Sequence, residues 1–476
     1  VLPPQQNSLT PLIIIQINKL LYMDFYFKAK TIRVLALGIS FLLSGPAVVY
    51  AQSVSAPQNG TEQNTLSNGT LEEVIQYALK NQPVIQQSVI DERIVENTIK
   101  SKLADWYPQI NFNYNLQHNF IVQTSIIAGN PVKLGVSNIS AAQFTMSQAI
   151  FNKDVLLAKR SRNDVRLQAS QNTSANKTDL AVNVAKAFYD VLATTQQIDV
   201  STEDIIRLER SLQDAQNQYK SGIADKIDFK RATISLNNTK AARKSNEEIL
   251  KGKVEYLKAL MGYPADQQLQ IRYDSLQMER EILLDTLQSP DISSRIEYQL
   301  LDTQKRLLEA NLDYNRWSFL PTVAVNGAYN LNYQNNRFGE LYGNNFPNSF
   351  AALTLTLPLY QGGKRKANIN SAEWQVKRAD LDIKNLKMNV NSEYANALGY
   401  YKGSLANLLA QKENVDLARE VYDVIQLQYK SGIKTYLEVI TSETDLRLAR
   451  INYYNALYQV LANKIDVQRA LGQLNY

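Results

Sequence analysis

The residues that follow Pro108 alternate with period two: Ile110, Phe112, Tyr114, Leu116, His118 and Phe120 fall on one face, and Asn111, Asn113, Asn115, Gln117 and Asn119 on the other. This alternation predicts a strand with one apolar and one amide-rich face. A return strand follows, with Ala142, Phe144, Met146 and Ile150 opposite Gln143, Thr145 and Ser147. Both patterns recur downstream, as Val323, Val325, Tyr329, Leu331 and Tyr333 against Asn326, Asn330 and Asn332, then Leu353, Leu355 and Leu357 against Thr354 and Thr356. The chain should therefore hold four strands in two hairpins, 110–150 and 322–359, each with a long loop. A ladder of amides suits a barrel wall with lipid outside and water inside, whereas the exposed face of a soluble sheet more often carries Lys, Glu and Thr. Four strands cannot close a barrel, about eight being the smallest number that fills sensibly, so closure requires an oligomer.

The rest of the pattern is helical. Asn152 to Gln218 contains neither Gly nor Pro, and Lys364 to Lys430 contains no Pro. Each stretch makes about 100 Å of helix at about 1.5 Å per residue. Shorter helical segments run from Asp225 to Met261, Thr435 to Leu471, Val84 to Tyr107 and Ser293 to Ser318. They predict a return leg broken midway, at Asn81-Gln82-Pro83, Tyr263-Pro264 and Ser289-Pro290, where Pro ends or restarts a helix. These breaks should form a mixed belt near the middle of the helical body.

A repeat organises the whole. Gln218-Tyr219-Lys220-Ser221-Gly222-Ile223 recurs identically as Gln428-Tyr429-Lys430-Ser431-Gly432-Ile433, and nearly the same offset relates Met261-Gly262 to Leu471-Gly472, Trp106-Tyr107-Pro108 to Phe319-Leu320-Pro321, and Ala149-Ile150-Phe151-Asn152 to Pro358-Leu359-Tyr360-Gln361. So long a period marks a duplicated domain half and not a solenoid. The two copies are expected at 70–290, including a mid-body segment at 263–290, and at 291–476. The repeated hexapeptide sits where the long helix must reverse, with Gly222 and Gly432 as left-handed C′ residues and Lys220 and Lys430 against the negative end of the helix dipole. Asp225-x-x-Asp228 and Thr435-x-x-Glu438 resemble the capping signatures of the next helix.

Composition narrows the chemistry. The chain has no Cys and a single His, which removes disulfides, thiolate metal sites, cysteine nucleophiles and multi-His zinc sites. His118 lies on the apolar strand face and reads as a satisfied or interfacial histidine; Gly362-Gly363-Lys364 lacks phosphate-loop spacing and reads as a strand-to-helix turn. Trp106 and Trp317 suit either an aromatic belt or helix-end packing. The expected chain is not an enzyme and needs no cofactor or metal. Lys28, Lys30 and Arg33, the apolar run Val34 to Leu43 and the small residues ending at Ala51 read as a signal peptide; Met23 reads as the start, and residues 1–22 as an upstream extension. Residues 52–69 read as a flexible leader. Without residues 1–51 the balance is 47 basic against 44 acidic residues, which gives no electrostatic case for nucleic acid.

Taken in order, the Leu71 to Leu79 helix ending in Asn81-Gln82-Pro83, the strands after Trp106-Tyr107-Pro108 and Leu320-Pro321, the Pro358-Leu359-Tyr360-Gln361-Gly362-Gly363 return, the doubled Tyr-Lys-Ser-Gly-Ile turn and the terminal Ala470-Leu471-Gly472 resemble the TolC-like outer membrane efflux proteins, the outer membrane factors. The first copy departs at Ala149-Ile150-Phe151-Asn152, which lacks the Pro and the Gly pair. The resemblance implies a mainly α fold with a membrane β-barrel: a homotrimer with a 12-stranded barrel, four strands per chain, continued by a periplasmic tunnel of twelve helices. It implies an exit duct in the outer membrane of a Gram-negative bacterium, reaching into the periplasm and serving a tripartite efflux or type I secretion system. The implied partners are a periplasmic adaptor (membrane fusion protein), an inner-membrane pump of resistance-nodulation-division or ABC type, and outer membrane lipid. The cargo would be small toxic compounds or polypeptides. Residue by residue, Asp228, Tyr429 and Lys434 match a periplasmic gate latch, and Glu438 matches a pore constriction whose second acidic position is Thr441 here. Asp228 and Glu438 also fit as N3 residues of capping boxes on Asp225 and Thr435. The alternative reading is a periplasmic coiled-coil adaptor or scaffold; that would predict a single helical hairpin with a β-rich insert.

Overall fold

The computed structural model of the chain describes residues 69–222, 225–271 and 275–474. The signal-like segment and nearly all of the leader, residues 1–68, lie outside the described residues. Helix α1 (Leu71–Asn81) opens on a capping box in which Thr70 and Glu73 satisfy each other's backbone N–H groups. Gln82 is extended and Pro83 takes the first position of α2 (Pro83–Ala104), so the chain restarts its helix at the expected break. Four strands follow, β1 (Gln109–His118), β2 (Thr124–Ile127), β3 (Asn130–Lys133) and β4 (Asn138–Phe151). Next come α3 (Lys153–Lys220, 68 residues), α4 (Lys226–Met261, 36 residues) and the short α5 (Ser275–Glu281). The second half repeats the order with α6 (Ile296–Arg316), β5 (Thr322–Asn335), β6 (Asn348–Thr356), α7 (Lys364–Lys430, 67 residues) and α8 (Tyr436–Leu471, 36 residues).

The main sheet is antiparallel, in the order β1-β4-β5-β6. Its register sorts the side chains as the alternation demands. Ile110, Phe112, Tyr114 and Leu116 align with Met146, Phe144, Ala142 and Ser140, and these with Gly327, Tyr329, Leu331 and Tyr333; the opposite face carries Asn111, Asn113, Gln143, Thr145, Asn326 and Asn330. On that polar face Asn326 donates to Thr354 Oγ1 at 3.0 Å and Asn330 to Asn348 Oδ1 at 2.6 Å. Two details differ from the sequence reading. β1 ends at His118, leaving Phe120 beyond it, and the loop between β1 and β4 holds a small hairpin of its own, β2–β3, closed on Ala128 and Gly129, both with positive φ. The two strand-to-helix junctions also differ. Asn152 caps α3 by accepting from Asp154 N–H, whereas Gly362 and Gly363, both left-handed, turn the chain into α7.

The helices form a layered wall. Along the half nearest the sheet α2 packs on α3, α3 on α6 and α6 on α7; along the far half α4 packs on α3, α3 on α8 and α8 on α7. Ion pairs mark the levels: Arg166–Glu96, Arg306–Asp164 and Lys305–Asp380 on the sheet side, Lys240–Glu209 and Arg450–Glu203 on the far side. The main core lies between, where the breaks meet. Val74, Ala78, Ile85, Val184, Phe188, Leu257, Met261, Tyr263, Tyr401, Leu457 and Leu461 are buried together there, and Tyr401 donates to the Ile282 carbonyl.

Glycine conformation locks this belt. Gly262 ends α4 at φ 66°, and a Cβ there would lie 2.9 Å from the Asn81 carbonyl oxygen. Gly472 ends α8 at φ 71° against Ser294 and Arg295, so each copy closes on the break before its own sheet-side helix. Gly222 has φ 71° but open space around it. Gly262→Ala should therefore destabilise the protein by about 2–4 kcal/mol, strain plus clash, and Gly222→Ala by only about 1–2 kcal/mol. Equal losses in thermal unfolding followed by circular dichroism would contradict the packing assigned to Gly262.

Candidate functional site

Two places in the fold can do something beyond holding it together: the sheet and the hairpin tips at the opposite end. No helix packs against either face of the sheet among the described residues. Ile110 is 72% and Leu353 71% exposed on its apolar face. A soluble sheet would bury that face. At the loop end of the same face Tyr114 and Tyr342 share a hydrogen bond of 2.8 Å, Ser140 donates to Tyr114, and Tyr342 stacks edge-on against Tyr333. Tyrosines with an apolar body and a wet hydroxyl are suited to a membrane boundary. His118 is satisfied by Asn138 Oδ1 at 2.6 Å. At the other end of the sheet Trp317 sits in a 3₁₀ turn closing α6, with the Arg160 guanidinium over its ring, which is helix-end packing. β1 and β6 each have one unpaired edge among the described residues.

The tips are built from the repeated hexapeptide. Ser221 N–H bonds to Asn217 O and Gly222 N–H to Tyr219 O; in the second copy Gly432 N–H bonds to Tyr429 O and Ile433 N–H to Gln428 O, the cross-bonded helix ending that a left-handed glycine permits. Tyr436 is buried between the hairpins against Ala215 and Ala232, and it shares a hydrogen bond with Ser211. Tyr429 donates to Gln218 Oε1 at 2.6 Å. This bond joins the Gln of one hexapeptide to the Tyr of the other. The sequence reading missed Gln218, although the repeat itself points to it.

The two capping signatures behave differently. Thr435 and Glu438 form the reciprocal box, and Lys434 pairs with Glu438 Oε1 at 2.6 Å. Lys434 and the Thr435 N–H together hold the Glu438 carboxyl down at about 2. Asp225, in contrast, caps α4 alone by accepting from Ile227 N–H; the expected box with Asp228 does not form, because an Asp at N3 is one methylene too short to reach back. Asp228 is half-buried; its N–H donates to the Asp225 carbonyl at 3.1 Å, and among the described residues its carboxylate has no hydrogen bond or ion pair. Its charge acts on Tyr429 and Tyr436, whose hydroxyls burial pushes up first, Tyr436 to about 12. Of the sequence-predicted residues, then, Lys434 and Glu438 are brought together, Tyr429 lies within electrostatic reach of Asp228, and the Asp228 carboxylate has no bonded partner among the described residues. Thr441 is exposed and bonds only to the Leu437 carbonyl.

Among the described residues no group of three or more His, Cys, Asp or Glu is placed to hold a metal ion, and no helix is long and apolar enough to cross a membrane. Comparison with known proteins agrees with the two-ended arrangement. The family model described as outer membrane efflux protein matches residues 74–263 and 301–473, one match per copy. Outer membrane protein TolC of Escherichia coli (strain K12) is 20% identical over 419 residues, 85% of this chain and 82% of the relative. Outer membrane protein OprJ of Pseudomonas aeruginosa is 22% identical over 448 residues, 90% of this chain and 91% of the relative. The fold is that of the crystal structure of the Campylobacter jejuni CmeC outer membrane channel, with a TM-score of 0.68 at 13% identity over 85% of each chain. The chain belongs to the outer membrane efflux protein family.

Proposed function

We propose that three copies of this chain form the passive exit duct of a tripartite export machine, a 12-stranded barrel in the outer membrane continued by a periplasmic tunnel of twelve helices. The observation that carries this reading is the pair of unfinished edges. β1 and β6 end the sheet with unpaired backbone, and a sheet with an apolar outer face in lipid must pair every edge. The helical wall is unfinished in the same places. On one side α7 exposes Trp374, Leu381, Met388, Leu409, Leu417 and Leu427; on the other α2 exposes Val84, Ile90 and Ile94, and α4 exposes Ile227, Ile234, Ile249 and Tyr256. Trp374, Leu381 and Met388 recur every seven residues, as do Ile227 with Ile234 and Ile249 with Tyr256, the spacing of a coiled-coil seam. A neighbouring copy that lays its α7 against α2 and α4 covers both stripes. A periplasmic scaffold would leave the apolar sheet face without a solvent.

In this reading nothing is catalysed, and an inner-membrane pump and a periplasmic adaptor supply the energy and trigger the opening. The cargo is small toxic compounds or, in a type I secretion setting, polypeptides. The resting tip is held by Asp228, whose carboxylate takes Lys434 and Tyr429 of the adjoining coil. Exposed ion pairs contribute about 0.2–1 kcal/mol each, so three of them make a latch that docking can open. Lys434 serves Glu438 in the isolated chain, so the latch and the constriction draw on one ammonium. Three Glu438 carboxylates, with Thr441 in place of a second acid, make a single cation-favouring ring.

The latch is tested by single-channel current in a planar bilayer. Asp228→Ala and Lys434→Ala should each raise the small resting conductance severalfold; closure that stays as in the wild type would remove these residues from the latch. The seam is tested separately, because the chain has no native Cys. Ile94→Cys combined with Trp374→Cys, which the repeat places at the level of the Arg306–Asp164 contact within the chain, should give disulfide-linked dimers and trimers on mild oxidation of the membrane-embedded protein, and monomers alone would sink the trimeric arrangement.

A further inference from the structure

The two helical hairpins of one chain meet above the tips on charged groups. Asp204 on α3 is 0% exposed and Glu443 on α8 is 4% exposed. Asp204 is in direct contact with Arg207 one turn away, and Arg447 of α8 approaches its other oxygen at 3.9 Å. Arg207 reaches Glu443 only at 3.8 Å from its Nε, and the facing Glu443 oxygen has no hydrogen-bond partner. Arg447 is drawn aside to the Thr239 hydroxyl of α4. From α7 the buried Tyr422 faces the same spot, with Asp423 beyond it, and from α8 itself Tyr436 does so one face lower. Arg450, the next cation along α8, is engaged by Glu203 at 2.7 Å. Glu443 is therefore a buried carboxylate set between two guanidiniums without a bond to either: the Nε of Arg207, also unbonded, stands 3.8 Å away, and Arg447 is held by Thr239.

We propose that Glu443, set among Asp204, Arg207 and Arg447, is a proton-controlled joint between the two hairpins, closed while Glu443 holds a proton and loosened when it is ionised. An ionised carboxylate without water or a hydrogen bond is costly to bury, whereas a neutral one is not. Burial accordingly pushes the Glu443 carboxyl up from 4.5 to about 7, against the opposing pull of Arg207 and Arg447. The sign of the linkage follows. The packed joint binds a proton that the parted, hydrated joint releases, so acid favours packing between about pH 4.5 and 7, and the preference is spent as pH rises past 7. One linked proton moves the ratio of parted to packed forms by at most about tenfold per pH unit. Glu438 does not titrate in this window, because Lys434 holds it at about 2. The joint lies two turns along α8 from Tyr436, the residue that seats the start of α8 between the tips, so parting the joint frees the element that carries Lys434 and Glu438.

This inference rests on the duct reading for its effect on current, but not for its effect on packing. The test therefore reads both on the purified full-length protein between pH 5.5 and 8. Amide hydrogen exchange, corrected for intrinsic rates, is followed over residues 200–212 and 436–450, and single-channel conductance is measured in a planar bilayer. Wild type should exchange faster and conduct at least twofold more as pH rises through 7. Glu443→Gln, which is neutral at every pH and nearly isosteric, should stay at the low-pH values throughout, and Glu443→Asp should restore a pH response. The tip is held constant by repeating the series in an Asp228→Asn background. A Glu443→Gln variant that follows the wild-type curve in exchange overturns the joint. A pH response in exchange that Gln abolishes, without current at any pH, keeps the joint and sinks the duct.

Discussion

The constraint on which everything else depends is that a strand edge has nowhere to hide in lipid. Each unpaired N–H or C=O in hydrocarbon costs several kcal/mol, so a four-stranded sheet with an apolar outer face is viable only when β1 and β6 find partners. A second consequence reaches the far end of the chain. A strand rises about 3.3 Å per residue and a helix about 1.5 Å, so one helix of 68 residues spans roughly two to three times the length of the sheet's 10- to 14-residue strands. The helices inherit the rotational order set by the strands. That is why the exposed stripes of α2, α4 and α7 fall at the same two margins as the open sheet edges.

Much of this was legible in the sequence because two periodicities, two and about three and a half, are rarely confused over long runs. The alternation at Ile110–Leu116 assigned the faces that the register then showed, and the identical hexapeptides located both reversals. The parts that were not legible share a physical cause: short range. Strands β2 and β3 have four residues each, too few to establish alternation, and their turn depends on a left-handed Ala128 that no pattern announces. Whether Asp228 caps its helix is decided by the length of one side chain.

The tip and joint residues show a different limit. Asp204 and Glu443 occupy inward helical positions where a hydrophobic pattern leads one to expect Leu or Ile, so the sequence presents them as interruptions. Only the crossing of α3 with α8 shows that the interruptions coincide. Gln218 escaped for a similar reason. Its partner Tyr429 lies 211 residues away, and the bond joins unlike members of two identical motifs. Duplication gave each copy the same hexapeptide, but the packing uses Gln from one and Tyr from the other, so the symmetry of the sequence is broken where the hairpins touch.

That asymmetry bears on how a duct of this kind can stay shut without being locked. A tip built from identical, fully satisfied turns would have no group to spare for a neighbouring coil. Here the second copy satisfies itself through the Thr435–Glu438 box and Lys434, while the first leaves the Asp228 carboxylate half-buried and, among the described residues, without a bonded partner. A half-desolvated carboxylate gains by meeting a cation, but only while it remains partly shielded from water, so its grip depends on how closely the hairpins are packed. Packing is what the proposed joint at Asp204, Arg207, Glu443 and Arg447 would govern. In the proposed latch, the strength of the tip contact and the protonation of the cluster above it would therefore enter one free energy, that of seating α8 between α3 and α4.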